Sequence, residues 1–218
     1  MLCRERVTVL NQTPGALRAL LSAQDDVAEP HALRYVILGG EALEPHLIES
    51  WQALNPLAST RLINMYGITE ITVHGTFADV TDYREETATG LIGRPLPGTS
   101  ILVLDEHLQP VPVGVTGEVF VGGGQVTRGY RNREELTRQR FIPDPFSSDV
   151  GACLYRSGDL GCWRADGTLD YRGRNDAQVK IRGYRIELGE IESCLRTCAG
   201  VRDAVVVARD ERDAGRRL

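Results

Sequence analysis

The sequence predicts an α/β protein in which part of a doubly wound parallel sheet is followed by a small β-barrel and then by the beginning of an α+β unit. Strand-like and helix-like segments alternate over residues 1–71, a pattern typical of a parallel sheet. Over residues 72–173, short strand-like runs are separated by glycine and proline turns, which favours a barrel. Residues 174–218 return to a strand, helix and strand pattern. We therefore predict three parts with these boundaries.

The first part contains three predicted strands and two predicted helices. The strands are the β-branched or apolar runs 7–10, 33–38 and 61–64. One helix is expected from Pro14 to about Ala23, because a proline suits the first helical turn. The other is expected over Pro45–Leu54, where Leu47, Ile48, Trp51 and Leu54 follow helical spacing.

The remaining elements are shorter. Strands are predicted over residues 73–77, 100–104, 117–121 and 168–171, without a long amphipathic helix between them. Gly122-Gly123-Gly124 is interpreted as a turn, since it lacks the lysine and the spacing of a phosphate-binding P-loop. The last part is predicted to form a strand and turn over 178–183, a helix over about 189–197 and a strand over 204–207. These are too few elements to close a core of their own.

Composition excludes several classes of protein. The 218 residues are 42% hydrophobic and carry a mixed net charge of −5, so no basic face indicates nucleic-acid binding. No apolar run approaches the roughly 20 residues of a membrane helix. The five cysteines lack CxxC spacing and no secretory signal precedes them, which predicts free thiols in a cytoplasmic protein and no zinc site.

The segment Asn64-Met65-Tyr66-Gly67-Ile68-Thr69-Glu70 follows the third predicted strand, and open α/β sheets bind ligands at the carboxyl ends of their strands. Tyr66 can stack on a planar ring, and Gly67 permits close backbone approach. Thr69 offers a hydroxyl to phosphate, and Glu70 offers an oxygen ligand to Mg²⁺. The alternative is a simple turn with an incidental acid.

Three other segments can contribute to such a site. Gly39-Gly40-Glu41-Ala42 follows the neighbouring strand in the equivalent place, although Gly-Gly is often only a turn. Asp159, in Tyr155-Arg156-Ser157-Gly158-Asp159-Leu160, can accept both hydroxyls of a ribose, and a plain turn is again the alternative. Arg174 can pair with phosphate or ribose oxygens, and Asp176 lies where rotation would swing everything after it.

In this order, the segments resemble the adenylate-forming enzymes, and most closely the amino-acid adenylation domains of nonribosomal peptide synthetases. The similarity spans the chain and is carried by Asn64 to Glu70, by the run 117–124 with Arg128-Gly129-Tyr130, by the run 155–160, and by the twenty residues 173–192. The run 7–14, Val-Thr-Val-Leu-Asn-Gln-Thr-Pro, also resembles the family. Ile68 replaces the commoner proline, and Ser157 replaces the commoner threonine.

The resemblance implies specific roles for these residues. Tyr66 would stack on adenine, Thr69 would contact phosphate, Glu70 would bind Mg²⁺ and Asp159 would hold the ribose. Asp176 would be the hinge of a C-terminal lid domain that rotates between adenylation and thioester formation. Further nucleotide contacts are implied for Gly40, Glu41, Ala42, Asn64, Gly67, Tyr171 and Arg174.

The resemblance also implies a pocket for the amino-acid side chain. Six of its residues match positions in this sequence: Asn11, Ile37, Gly39, Met65, Val73 and His74. Ile37, Met65 and Val73 would make an apolar wall, and Gly39 would leave space. Asn11 and His74 would bind a small hydroxyl, and a valine in place of a hydroxyl-bearing substrate would leave them unpaired. One methyl and one hydroxyl predict L-threonine.

The implied reaction uses ATP and Mg²⁺ to form an aminoacyl adenylate and then loads the phosphopantetheine thiol of a carrier protein. A peptidyl carrier protein and a condensation domain are the expected partners, in the synthesis of an antibiotic or siderophore. The family's Pro-Lys-Gly phosphate loop and its late lysine do not occur in these residues, so we expect a fragment that is inactive alone. An acyl- or aryl-CoA ligase fragment and a non-catalytic nucleotide-binding fragment are the alternatives.

Overall fold

The computed structural model describes residues 1–24, 31–56, 59–82, 90–181, 183–211 and 215–218. Most of its strands belong to one hydrogen-bonded sheet. The α/β class predicted from the sequence is confirmed. The sheet continues across the predicted boundary at residues 71/72, because strand Arg61–Tyr66 pairs with strand Thr76–Asp79.

The first three strands form the parallel part of the sheet. They are β1 (Val9–Gln12), β2 (Tyr35–Gly39) and β3 (Arg61–Tyr66), and their register pairs Asn11 with Ile37 and Gly39 with Met65. Helix α1 (Pro14–Ser22) begins at Thr13, whose hydroxyl accepts a hydrogen bond from the Ala16 amide, as an N-cap residue does. Helix α2 spans Pro45–Leu54, as predicted.

The core of this part lies between the helices and the parallel strands. Leu47, Ile48 and Trp51 of α2 are buried, as their helical spacing predicted. They belong to one apolar cluster with Leu17 and Leu21 of α1 and with Val36, Leu38 and Leu62 of the strands. Because helices and sheet share this core, the carboxyl ends of β2 and β3 are held side by side.

Antiparallel strands continue the sheet from β3. They are β4 (Thr76–Asp79), β5 (Leu91–Pro95), β6 (Thr99–Leu104), β7 (Thr116–Gly123), β8 (Phe141–Pro143), β9 (Cys153–Trp163) and β10 (Leu169–Arg174), with a short helix α3 (Glu134–Arg140). A second apolar cluster, which includes Tyr66, Ile71, Val119, Tyr155 and Leu169, lies beneath them. The strands of the sheet follow the order β1-β2-β3-β4-β5-β10-β9-β7-β6, with β8 paired to β9. This order ends at β6, so the closed barrel stays a prediction.

The C-terminal unit is small. Strands β11 (Gln178–Ile181) and β12 (Tyr184–Glu187) form a hairpin, followed by α4 (Leu188–Arg196). A second hairpin pairs β13 (Arg209–Glu211) with β14 (Gly215–Arg217). Arg182, part of the run that resembles the family, lies outside the described residues. None of the described helices is long and apolar enough to cross a membrane.

Two predicted strands are wrong. The run 73–77 was expected to be extended, but Thr72 and Val73 have φ angles of 55° and 79°, so the chain turns there and β4 begins only at Thr76. The run 204–207 is not a strand either, and Val205 and Val207 are 79% and 51% exposed. A strand needs a hydrogen-bonded neighbour, and in the described part of the chain β13 pairs only with β14.

Candidate functional site

A tight loop at the carboxyl end of β3 forms the centre of the candidate site. A 3₁₀ turn over Thr69–Ile71 and the left-handed residues Thr72 and Val73 bring the chain back toward β3, where the Gly75 amide donates to the Tyr66 carbonyl at 2.8 Å. A Cβ atom on Gly67 would lie 1.7 Å from the Val73 carbonyl oxygen. Only glycine therefore permits this close return. We call residues 69–75 the pocket loop.

A cavity of about 440 Å³ opens beside Tyr66, within the usual size range of small-molecule sites. Among the residues predicted to contact nucleotide, its lining includes Gly40, Glu41, Ala42, Asn64, Tyr66, Gly67, Tyr171 and Arg174. Met65 and Asp176 also line it. The lining combines two aromatic rings, a glycine-containing loop and a guanidinium group, which together suit a planar base with attached hydroxyl or anionic groups.

Glu41 positions one wall of this cavity. Its carboxylate accepts a hydrogen bond of 2.9 Å from the Gly15 amide near the start of α1, where free amides and the helix dipole favour an anion. The Asn64 side chain donates to the Leu91 carbonyl at 2.8 Å and so links β3 to β5, and both residues line the cavity. Glu41 and Asn64 are thus held by contacts between elements far apart in sequence.

Tyr66, Asp159, Arg174 and Asp176 form a continuous chain of polar contacts. The Tyr66 hydroxyl donates to Asp159 at 2.5 Å, and Arg174 donates to the other Asp159 oxygen at 2.6 Å. Arg174 also binds both oxygens of Asp176, each at 2.6 Å. Asp159 is fully buried and does not line the cavity. The structure therefore brings Asp159 behind Tyr66, with both oxygens already engaged.

The pKa shifts in this chain follow from burial and from pairing. Burial, and then the charge of Asp159, raise the pKa of the Tyr66 hydroxyl well above its ordinary value. Burial opposes the charge of Arg174, but its hydrogen bond to Asp176 and the charges of Asp159 and Asp176 outweigh it and raise its pKa. Burial also opposes the charge of Asp176, yet Arg174 lowers its pKa overall. Tyr66 is therefore neutral, and Arg174 and Asp176 are charged, at neutral pH.

Glu70, the expected Mg²⁺ ligand, lies in a different cluster outside the cavity lining. One of its oxygens accepts hydrogen bonds from Tyr130 at 2.5 Å and from Tyr155 at 3.0 Å, and Arg185 binds both oxygens at 2.9 and 3.0 Å. Burial is the largest effect and raises the pKa of Glu70, but the hydrogen bonds to this carboxylate and the charge of Arg185 together lower the pKa overall. The described residues contain no group of three or more His, Cys, Asp or Glu side chains suited to a metal. In this arrangement Glu70 does not fit Mg²⁺. Thr69 is exposed.

Sequence reasoning missed four residues of the site: Tyr130, Tyr155, Lys180 and Arg185. Lys180 lines the cavity, and its ammonium nitrogen lies 5.9 Å from the centre of the Tyr66 ring. Burial lowers its pKa. The Tyr171 ring is also close to the Tyr66 ring, with centroids 6.2 Å apart. A base stacked on Tyr66 must therefore fit beside Lys180 and Tyr171 or displace one of them. All four missed residues lie in runs that carry the family resemblance, and the basic and apolar composition of residues 178–185 was a further signal for Lys180 and Arg185.

Most of the predicted pocket residues cluster on one face near the pocket loop. Asn11 pairs with Ile37, and Gly39 pairs with Met65, along neighbouring strands. A Cβ on Gly39 would lie 3.5 Å from the His74 ring. The His74 Nδ1 atom is buried and has no hydrogen-bond partner in the described residues, and burial lowers the pKa of His74. Val73 differs, since 61% of it is exposed.

Comparison with known proteins identifies the family. A model of the AMP-binding enzymes matches residues 1–131. The chain belongs to the AMP-binding enzyme family. Its similarity to relatives within this family extends over the whole 218 residues and indicates the adenylation domain of nonribosomal peptide synthetases.

Two curated relatives show the extent of the similarity. This chain is 49% identical to a dimodular nonribosomal peptide synthase of Bacillus subtilis, and the alignment covers all of this chain and 9% of the relative. It is 45% identical to syringomycin synthase SyrB1 of Pseudomonas syringae, again with all of this chain but 35% of the relative covered. The chain thus spans about a third or less of the length of these relatives.

Solved structures of this family show the same fold. An artificially fused adenylation and PCP di-domain from Klebsiella oxytoca superposes with a TM-score of 0.82 at 27% identity, covering 98% of this chain and 38% of the other. Holo-PA1221, described as an NRPS protein with adenylation and PCP domains bound to a vinylsulfonamide inhibitor, gives a TM-score of 0.85 at 30% identity, covering 96% and 36%.

Proposed function

We propose that this chain forms part of an adenylation domain that activates an amino acid with ATP for nonribosomal peptide synthesis. An oxygen of the substrate carboxylate attacks the α-phosphorus of ATP, a phosphorus–oxygen bond forms, and the bond to pyrophosphate breaks. The phosphopantetheine thiol of a carrier protein then attacks the acyl carbonyl, loses its proton and releases AMP. The substrate supplies the nucleophile for the first step, so the chain needs no general base there.

The cavity beside Tyr66 is the observation that carries this proposal. Its lining joins Tyr66, Arg174 and the loop Gly40 to Ala42, which we assign to adenine, to the ribose or phosphate oxygens, and to the edge of the base. We assign ribose binding to Asp159, which requires the carboxylate to exchange a contact with Tyr66 or Arg174 for a ribose hydroxyl. Thr69 is exposed at the neighbouring strand end and is assigned to phosphate.

We propose L-threonine as the substrate. Met65 lines the nucleotide cavity and pairs with Gly39, so a side chain bound beside Met65 lies next to the nucleotide. The buried, unpartnered Nδ1 of His74 can hydrogen-bond a hydroxyl. Ile37, Met65 and Gly39 are assigned to the apolar part of the pocket that takes the methyl group. Asn11 is assigned as the second polar group and Val73 as part of the wall.

Chain rotation at Asp176 is the proposed switch between the two half-reactions. Asp176 follows β10 and precedes the β11–β12 hairpin, and Arg174 holds it in the present arrangement. Arg185 travels with that hairpin. A metal can reach Glu70 only after Arg185 has left, because Arg185 now donates to both carboxylate oxygens. We therefore assign no step to Mg²⁺ in the present arrangement.

A pair of measurements tests the proposal. AMP or a non-hydrolysable aminoacyl-adenylate analogue is titrated into the chain by calorimetry, and ATP–pyrophosphate exchange is measured for the chain and for the full-length protein that carries it. We expect binding by both, and threonine-dependent exchange only by the full-length protein. Failure of the full-length protein to exchange pyrophosphate with any amino acid would refute the proposed activity.

A non-catalytic nucleotide-binding role is the second candidate. The pairing of Glu70 with Arg185 favours it, since this pairing leaves no free carboxylate oxygen for a metal. The same experiments separate the two candidates. Nucleotide binding without exchange in the full-length protein supports the second.

A further inference from the structure

The pocket loop adopts a backbone that its own residues disfavour. Thr72 and Val73 are consecutive β-branched residues with φ angles of 55° and 79°. A left-handed conformation costs a non-glycine residue roughly 1 to 2 kcal/mol, and such conformations persist only where the surroundings hold them. The contacts that hold this loop therefore decide where its next residue, His74, lies.

Three hydrogen bonds tie the pocket loop to residues 125–127, which follow β7 and which we call the latch. The Thr72 hydroxyl donates to the Gln125 carbonyl at 2.7 Å, and the Gln125 side-chain amide donates to the His74 carbonyl at 3.0 Å. The Thr127 amide donates to the Glu70 carbonyl at 2.8 Å. The latch thus holds both ends of the strained segment.

The contact with His74 is the one that bears on recognition. Gln125 fixes the His74 carbonyl, and the His74 ring lies over Gly39 with its buried Nδ1 unpartnered. The Gly75 amide of the pocket loop bonds only the backbone carbonyl of Tyr66, whereas the Tyr66 side chain is held by its own hydrogen bond to Asp159. Loss of the latch is therefore expected to move His74 and to leave the ring of Tyr66 in place.

We propose that Gln125 and Thr72 are positioning residues that set the amino-acid preference of the site by holding His74, although neither is assigned a contact with the substrate. This inference deepens the proposed function and rests on it. It assigns to the β7–α3 connection a part in specificity that the cavity lining does not reveal.

Hydrogen exchange on the chain itself tests the mechanical part. Gln125→Leu removes the amide at similar size, and Thr72→Val removes the hydroxyl but keeps the β-branched shape. We expect exchange of the Val73, His74 and Gly75 amides to accelerate roughly 3- to 10-fold in both, as loss of an ordinary hydrogen bond implies. Thr72→Ser and Gln109→Leu, at an exposed glutamine, serve as matched controls. Unchanged exchange in Gln125→Leu, with intact folding by circular dichroism, overturns the proposal.

Substrate selection tests the specificity part in the full-length protein that carries this sequence. We expect the ratio of kcat/KM for threonine over valine to fall roughly 3- to 10-fold in Gln125→Leu and Thr72→Val, with the KM for ATP changed less than 2-fold. Thr72→Ser keeps the hydroxyl and should therefore retain the threonine-over-valine ratio of the unaltered protein. An unchanged ratio, or a parallel rise in the KM for ATP, overturns the proposal. If the unaltered protein activates no amino acid, the proposed function fails, and the exchange experiment still decides whether the latch holds the loop.

Discussion

Arg185 binds both carboxylate oxygens of Glu70, at 2.9 and 3.0 Å, and so connects the β11–β12 hairpin to the pocket loop. The two residues are 115 positions apart in sequence. The Arg185 side chain is 29% exposed and that of Glu70 only 8%. The pair therefore joins the C-terminal unit to the sheet through a largely desolvated contact.

Replacing Arg185 should destabilise the protein. Arg185→Gln leaves the buried carboxylate of Glu70 with two tyrosine hydroxyls but without its cation, and we expect the free energy of unfolding to fall by about 1 to 3 kcal/mol. Urea denaturation measures this change. Arg138→Gln is the matched control, because Arg138 is 71% exposed and pairs only on the surface of α3, where such pairs contribute roughly 0 to 1 kcal/mol. Equal losses in the two variants would contradict the assignment.

The same carboxylate predicts a dependence of stability on pH. The pKa of Glu70 is lower in the folded protein than its ordinary value of 4.5, so the unfolded chain takes up the proton first and acid favours unfolding. The contribution is fully present above pH 4.5 and is lost as the pH falls through the lower folded value. Urea denaturation is measured at pH 7 and below pH 4.5. The free energy of unfolding should fall less between these two pH values in Glu70→Gln than in the unaltered chain. Glu106→Gln, on an exposed turn, should match the unaltered chain.

Two substitutions separate the ring of Tyr66 from its hydroxyl. Tyr66→Phe removes the donor to the buried Asp159 and should lower the free energy of unfolding by about 1 to 3 kcal/mol, while AMP affinity changes little. Tyr66→Leu removes the stacking surface and should weaken AMP about 10-fold, near the low end for a base on an aromatic side chain. Calorimetric titration of AMP and urea denaturation measure the two effects. Tyr184→Leu, at a 74% exposed tyrosine, should alter neither.

Gly67→Ala tests the close return of the pocket loop. The new methyl group would lie 1.7 Å from the Val73 carbonyl oxygen. Neither atom can turn away by a side-chain rotation, because each is attached directly to the backbone. We expect a loss of about 3 kcal/mol or more in the free energy of unfolding, since the backbone must move. The control is Gly124→Ala, whose added Cβ meets no atom within 4 Å. A loss in Gly67→Ala no larger than in Gly124→Ala would show that the loop has another conformation.

Replacing His74 should weaken threonine selection. His74→Leu removes the Nδ1 atom proposed to bind the substrate hydroxyl, and the ratio of kcat/KM for threonine over valine should fall by about 10-fold. Amino-acid-dependent pyrophosphate exchange by the full-length protein measures this ratio. His107→Leu, in the exposed turn after β6, provides the comparison. Preference retained in His74→Leu would remove the basis for assigning threonine.

The sequence correctly predicted the elements whose structure depends on the spacing of neighbouring residues. Pro45–Leu54 is helical as predicted, because its apolar spacing matches the face that packs on the sheet. The run 73–77 failed because its backbone is set by Gly67 and by the latch, not by its own residues. Strand β9 was missed because Ser157, Gly158 and Asp159 indicate a turn, whereas in the structure they lie within an eleven-residue strand.

The candidate site shows the same difference between local sequence pattern and contacts distant in sequence. Asn64, Met65, Tyr66 and Gly67 line one cavity because the end of β3 places them side by side. The partners of Glu70 were missed because Tyr130, Tyr155 and Arg185 lie 60, 85 and 115 positions away. Those contacts arise from packing between elements that are far apart in the chain, and no spacing within the sequence indicates them.

The position of β5 in the sheet has a consequence for synthesis on the ribosome. One side of β5 pairs with β4, which immediately precedes it in the strand order, but its other neighbour is β10. The outer edge of β5 therefore stays unpaired until residues 169–174 have emerged. An unpaired strand edge is open to pairing with other chains, so during this interval of elongation the nascent protein presents an edge at which it can aggregate.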